Sequence, residues 1–232
     1  MLAEMIGVGM RRSWISIISV LVSAIALAGV VTLAFAYEKL RRQMAGISSD
    51  MAGLPNPSAS NEHFVARLSV IRSQLSRAER PIIVMGDSIV ESALLPPTLC
   101  GHPVINAGVG GATIGFFTRY AEIIVNNSKP ELVVLSVGIN DVKNTLGNFR
   151  AAYLATLHSL SGPVAVVTIT STKPPMSDFN QFIRSIDGVA VIDPKDISGA
   201  MTTDGIHLDQ KGYQIWNKAV VQGIETKIGC IN

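Results

Sequence analysis

The chain predicts a doubly wound α/β domain built on a parallel sheet and preceded by one transmembrane helix. Three observations lead there. From residue 81 onward short β-branched runs alternate with stretches suited to helices. Several of those runs are apolar on consecutive residues, as expected of strands covered on both faces. Near the amino terminus, Trp14 to Tyr37 is uncharged and mostly apolar over 24 residues, about 36 Å as a helix, enough to cross a bilayer core with some tilt. The composition agrees: 232 residues, 48% hydrophobic and 16% charged, with mean hydropathy +0.37, exclude a disordered chain and a disulfide-stapled mini-domain.

Taken in order, residues 1–13 form a short tail and residues 14–37 the membrane segment. Trp14 and Tyr37 mark its ends, and Arg11, Arg12, Lys39, Arg41 and Arg42 flank it. The length favours an uncleaved anchor over a signal peptide. The small residues of Ala34-Phe35-Ala36 also suit a signal peptidase, so a secreted form cleaved before Tyr37 is the alternative. Flanking charge barely orients the segment. A short tail that need not be translocated puts the amino terminus inside and the folded part on the extracytoplasmic side. Residues 38–60 are a juxtamembrane segment and a small, polar, proline-punctuated linker, and residues 61–232 are the folded domain.

Within that domain Phe64, Leu68, Ile71 and Leu75 recur at helical spacing over 62–80. Five strands are predicted at 81–86, 103–107, 131–137, 163–169 and 189–193, with helices near 113–127, 148–160, 177–186 and 209–227. No internal repeat emerges at a fixed period.

From residue 51 on, 14 Lys/Arg balance 14 Asp/Glu, so the net charge of +2 belongs to the first 50 residues. A neutral folded part excludes a nucleic-acid binder, which needs a basic face for phosphates. Cys100 and Cys230 are either a disulfide or two buried thiols. No Cys or His cluster has metal-ligand spacing, so neither a metal nor a cofactor is expected.

In a doubly wound sheet, ligands bind beyond the carboxyl ends of the strands. Gly86-Asp87-Ser88 follows the first strand, Asn106 to Gly111 the second, Gly138-Ile139-Asn140-Asp141 the third, and Thr203-Asp204-Gly205-Ile206-His207 the last. These are the parts acyl transfer needs. A serine hydroxyl is a weak nucleophile until a base takes its proton, and an imidazole, ordinarily titrating near 6.5, can do so at neutral pH. Asp204 can fix the tautomer of His207. The Ser88 and Gly111 backbone N–H groups and the Asn140 amide can donate to the oxyanion. Each motif alone is ordinary turn or cap chemistry; their joint occurrence, in order and each after a strand, carries the reading.

The order GDS, glycine, GxND, DxxH resembles the SGNH, or GDSL-type, hydrolase family of esterases and lipases over about residues 81–220. Its four name-giving residues would fall on Ser88, Gly111, Asn140 and His207. Among the three clustered glycines, Gly111 is chosen by its distance from Asn106. The resemblance implies a three-layer flavodoxin-like fold and a metal-independent serine esterase mechanism with no cofactor.

The sequence therefore predicts a membrane-anchored serine esterase with Ser88, His207 and Asp204 as triad and Ser88, Gly111 and Asn140 as oxyanion hole. A compact domain beside a membrane favours short acyl groups, such as acetyl esters on cell-surface polysaccharide, over long lipids. An acyltransferase using the same residues and a non-catalytic binding module on the same fold are the rivals. A dinucleotide site at Gly108-x-Gly110 fails, because Thr113 stands where a third glycine is needed and no acid ends the next strand. Oligomeric state is not legible.

Overall fold

The computed structural model describes residues 22–39, 41–42, 61–125, 128–170, 176–195, 197 and 201–230. The chain divides into two compact units, Met1–Gly53 and Leu54–Asn232. In the first, helix α1 (Val22–Lys39) is long and apolar enough to cross a membrane, and none of it is buried. It runs two residues past Tyr37; the predicted start at Trp14 lies outside the described residues.

The second unit follows the predicted alternation. Its elements are α2 (Asn61–Leu75), β1 (Ile82–Gly86), α3 (Ser88–Glu91), β2 (Thr98–Leu99), β3 (His102–Gly108), α4 (Ile114–Val125) and β4 (Leu132–Ser136). They continue with α5 (Leu146–Ser159), β5 (Val164–Val167), α6 (Ser177–Arg184), β6 (Ala190–Ile192) and α7 (Gln210–Ile228). The strand order is β2-β3-β1-β4-β5-β6. Five strands are parallel, and β2 pairs antiparallel to β3 at the edge. The sheet thus has six strands, not five. The added strand is two residues long, too short to leave a periodic signal in the sequence.

Alternation along the strands builds two cores. Ile82, Val84, Leu132, Val134, Ala165 and Val167 join Ile89 and Val90 of α3 and Trp216, Val220 and Ile224 of α7 in one cluster. The intervening Ile83, Met85, Val133, Leu135 and Val166 are equally buried and face the opposite side. There α2, α4, α5 and α6 supply Phe64, Phe117, Phe149, Tyr153 and Ile183. This two-sided covering makes the strands read as continuous apolar runs.

Local signals set the helix ends. Thr145 and Asp209 cap α5 and α7 by accepting from the N–H groups of Asn148 (3.2 Å) and Gly212 (2.8 Å). Gly229, at φ +82°, ends α7 in the left-handed region. Cys100 and Cys230, left open by the sequence, form a disulfide with Cα atoms 5.7 Å apart, tying the β2 edge to the residues just after α7.

Candidate active site

Register brings the strand ends level. Gly86 of β1 pairs with Gly108 of β3 and with Ser136 of β4. Ser88 lies two residues beyond the first of these, Gly111 three beyond the second and Asn140 four beyond the third. The strand order reverses about β1, so these segments emerge at the switch point where doubly wound sheets bind ligands.

Glycine permits the close approach. A Cβ on Gly86 would stand 2.2 Å from the Ser136 carbonyl oxygen, and one on Gly108 2.1 Å from the Glu91 nitrogen. Neither contact has room to relax, because both partners are backbone.

Asp87 caps α3 by accepting from the Ile89 N–H at 3.0 Å, which places Ser88 on the first residue of the helix. Ser88 Oγ lies 3.1 Å from His207 Nε2. His207 Nδ1 lies 2.7 Å from Asp204 Oδ2. The other oxygen of Asp204 accepts from the backbone N–H groups of Ile206 (2.9 Å) and His207 (2.7 Å), so the carboxylate shapes the loop that presents the ring. A carboxylate at Nδ1 fixes the proton there and leaves Nε2 to accept from the serine hydroxyl. The hydrogen bond from the ring, joined by the two backbone donors, holds the Asp204 carboxyl well below the usual carboxylate range. Both side chains of this pair are about half exposed.

Of the three clustered glycines, two have committed N–H groups. Gly108 donates to Asn106 Oδ1 at 3.0 Å and Gly110 to Glu91 Oε2. Ala112 N–H closes a turn onto the Val109 carbonyl at 3.0 Å, with Gly111 at φ +78°, where a side chain would be strained. The Gly111 N–H has no acceptor among the described residues. Asn140 Nδ2 donates to the Ala112 carbonyl at 2.9 Å, which links the β4 loop to this turn and leaves the second amide proton of Asn140 free to donate.

Two buried carboxyls lie behind the site. Burial pushes Asp87 up to about 7; the charge of Asp141 adds to the rise, while the Ile89 N–H and His207 oppose it. Burial likewise raises Asp141 to about 6, opposed by hydrogen bonds from the Ile114 N–H (2.9 Å) and the Asn144 amide (2.8 Å). Through Ile114, Asp141 fixes the start of α4 immediately beyond the glycine turn.

Sequence reasoning overlooked the residues that brace this turn. Asn106 Nδ2 donates to the carbonyls of Val90 (2.7 Å) and Ala93 (3.2 Å), stapling the end of α3 to β3. Glu91 meets His63 and Arg67 of α2. In the sequence His63 follows no strand, and Glu91, which it meets here, is 28 residues away along the chain.

A shallow recess lined by Asp87, Ile89, Ser136, Ile139 and Thr170 adjoins α3, the helix that begins with Ser88. Next to it, sharing Ile169 and Thr170, a polar cavity of about 290 Å³ reaches Asn180, Arg184, Asp193 and Lys195. Among the described residues no group of three or more His, Cys, Asp or Glu side chains is placed to hold a metal ion.

No family model matches the chain, and no curated protein sequence does either. Solved structures do. A lipase/acylhydrolase from Enterococcus faecalis matches with a TM-score of 0.53 and 23% identity, over 64% of this chain and 96% of that one. A carbohydrate esterase family 3 protein from Talaromyces cellulolyticus matches at 0.54 and 18%, over 66% and 99%. An acetylxylan esterase from Geobacillus stearothermophilus matches at 0.54 and 17%, over 66% and 95%. The folded unit therefore has the α/β fold that these esterases and acylhydrolases share.

Proposed function

We propose that the protein is a membrane-anchored carboxylic ester hydrolase of the SGNH type, with Ser88 as nucleophile, His207 as general base and acid, and Asp204 as the group that orients the ring. The observation that carries the proposal is the continuous chain Ser88 Oγ to His207 Nε2 at 3.1 Å and His207 Nδ1 to Asp204 Oδ2 at 2.7 Å, joining segments 119 residues apart in the sequence. The fold shared with esterases and acylhydrolases supports it.

In this mechanism Ser88 Oγ attacks the ester carbonyl carbon while His207 Nε2 takes the hydroxyl proton. The carbonyl oxygen becomes an oxyanion and accepts from the N–H groups of Ser88 and Gly111 and the free amide proton of Asn140. Collapse of the intermediate breaks the ester C–O bond, and the alcohol leaves with the proton from His207. Water then attacks the acyl-enzyme, giving its proton to His207, which returns it to Ser88 as the carboxylic acid departs. Each donor preorganised for the oxyanion is worth roughly 100- to 1,000-fold in rate.

The substrate proposed is a short acyl group on a polar alcohol, with acetylated cell-surface glycan as the class. The polar cavity of about 290 Å³, which shares Ile169 and Thr170 with the recess at α3, suits a hydrophilic alcohol better than an acyl tail. Two of the matched proteins are named as carbohydrate or acetylxylan esterases. The apolar α1 supports the anchor, and the disulfide supports an extracytoplasmic site, where thiols oxidise.

Ser88→Ala in the full-length protein tests the proposal. Turnover of p-nitrophenyl acetate should fall at least about 1,000-fold with unchanged circular dichroism; activity retained by a folded variant refutes it.

A further inference from the structure

The oxyanion turn has its own brace, and it lies outside the triad. Glu91 ends α3, the helix that begins with Ser88. One of its carboxylate oxygens, Oε2, accepts from the Gly110 N–H at 2.5 Å and from His63 Nε2 at 3.1 Å. The other, Oε1, lies 3.4 Å from Arg67 Nε. Arg67 in turn donates to the carbonyls of Gly108 (2.9 Å) and Asn106 (3.2 Å), at the end of β3. A carboxylate and a guanidinium from two helices thus hold the backbone just before Gly111, the residue whose N–H is left uncommitted.

The geometry points to Glu91, braced by His63 and Arg67, as a positioning residue that aims the Gly111 N–H at the oxyanion. This inference rests on the hydrolase reading above.

The physical reason is local. In the turn Val109–Ala112 the two central residues are glycines, which have the largest range of backbone conformations to lose. Rotation of either adjoining peptide plane redirects the Gly111 N–H. The closing bond from Ala112 to Val109 fixes the ends of the turn and not the tilt of its middle. The bond from Gly110 to Glu91 supplies that constraint, and it is charge-assisted, so it is stronger than a neutral bond. Glu91 is itself fixed because its side chain is only 22% exposed and meets two further donors. The same helix carries the nucleophile at its other end, so Ser88 and the turn are registered through the four residues of α3. The carboxylate sits close against the turn: a Cβ on Gly110 would stand 3.0 Å from Glu91 Oε2.

The test compares Glu91→Ala, Glu91→Gln and His63→Ala in the full-length detergent-solubilised protein with p-nitrophenyl acetate. A misaimed donor weakens transition-state binding more than substrate binding. Glu91→Ala should therefore lower kcat about tenfold to 100-fold with KM within about twofold. Glu91→Gln, which keeps an acceptor for the Gly110 N–H, should recover most of that loss. His63→Ala removes a half-exposed brace and should cost about two- to fivefold in kcat. Amide hydrogen exchange at Gly110 is read alongside, with faster exchange expected in Glu91→Ala and wild-type exchange in Glu91→Gln.

Unchanged kcat in folded Glu91→Ala, a loss that Glu91→Gln does not restore, or Gly110 exchange indifferent to Glu91→Ala overturns the inference. If instead Ser88→Ala keeps wild-type activity, the hydrolase reading falls, and the exchange measurement still decides whether Glu91 holds the turn.

Discussion

Replacing Asp87 by Asn isolates the electrostatic cost of keeping a buried carboxyl next to Ser88. Asp87 is 3% exposed, and burial pushes it up from 3.8 to about 7. A raised carboxyl binds its proton more tightly folded than unfolded. Its contribution to stability is therefore fully present below the unfolded value near 3.8 and is lost as pH rises through about 7. A rise from 3.8 to about 7, at about 1.4 kcal/mol per pH unit, sets a ceiling of about 4 kcal/mol, and relaxation around the ion reduces the realised cost to about 1–3 kcal/mol. The carboxamide of Asp87→Asn keeps an acceptor for the Ile89 N–H, so the cap on α3 survives the exchange. Urea unfolding at about pH 3.5, below the unfolded value, and at about pH 8 reads the difference. The two proteins should agree within about 0.5 kcal/mol at the lower pH, and the variant should be more stable by about 1–3 kcal/mol at the higher. A difference that is the same at both values, or that favours wild type at the higher, refutes the reasoning. Asp141, raised to about 6 by burial, acts in the same direction and adds to the decline of wild-type stability with rising pH.

Two further outcomes follow from the geometry. Asp204→Ala removes both the partner of His207 Nδ1 and the acceptor for two loop N–H groups, so kcat for an aryl acetate should fall at least about 100-fold; a fall under about threefold contradicts the ring-orienting role. The Cys100–Cys230 bridge closes a loop spanning 130 positions, so the double serine variant should lose about 2–5 kcal/mol of stability in urea, and no loss would mean that the bridge does not constrain the unfolded chain.

The sequence exposed those features whose signal is local. Ser88 and Asn140 stood out because each follows an apolar run by a few residues, and β1, β4 and β5 because burial on both faces leaves consecutive apolar positions. Asp204 and His207 share one loop, so their contact was implicit in a spacing of three. The edge strand β2 was not legible, since a two-residue pairing leaves no pattern. Nor was the pairing of Cys100 with Cys230, which depends on where α7 ends relative to the sheet edge. The brace of Glu91, His63 and Arg67 was hidden for a related reason. Its members look like ordinary charged helix residues until α2 packs beside β3 and brings them to the glycine turn. Spacing from Asn106 alone singled out Gly111 from Gly108 and Gly110; the structure adds a physical difference, since the N–H groups of the other two are already bonded.

Incubating the full-length protein with a fluorophosphonate and locating the adduct by peptide mass spectrometry tests the central claim most directly. An activated serine should carry the phosphonyl group on Ser88, and His207→Ala should abolish the labelling. Absence of an adduct on the wild-type protein, or its attachment at another serine, would contradict the assignment of Ser88 and His207 as a reactive pair.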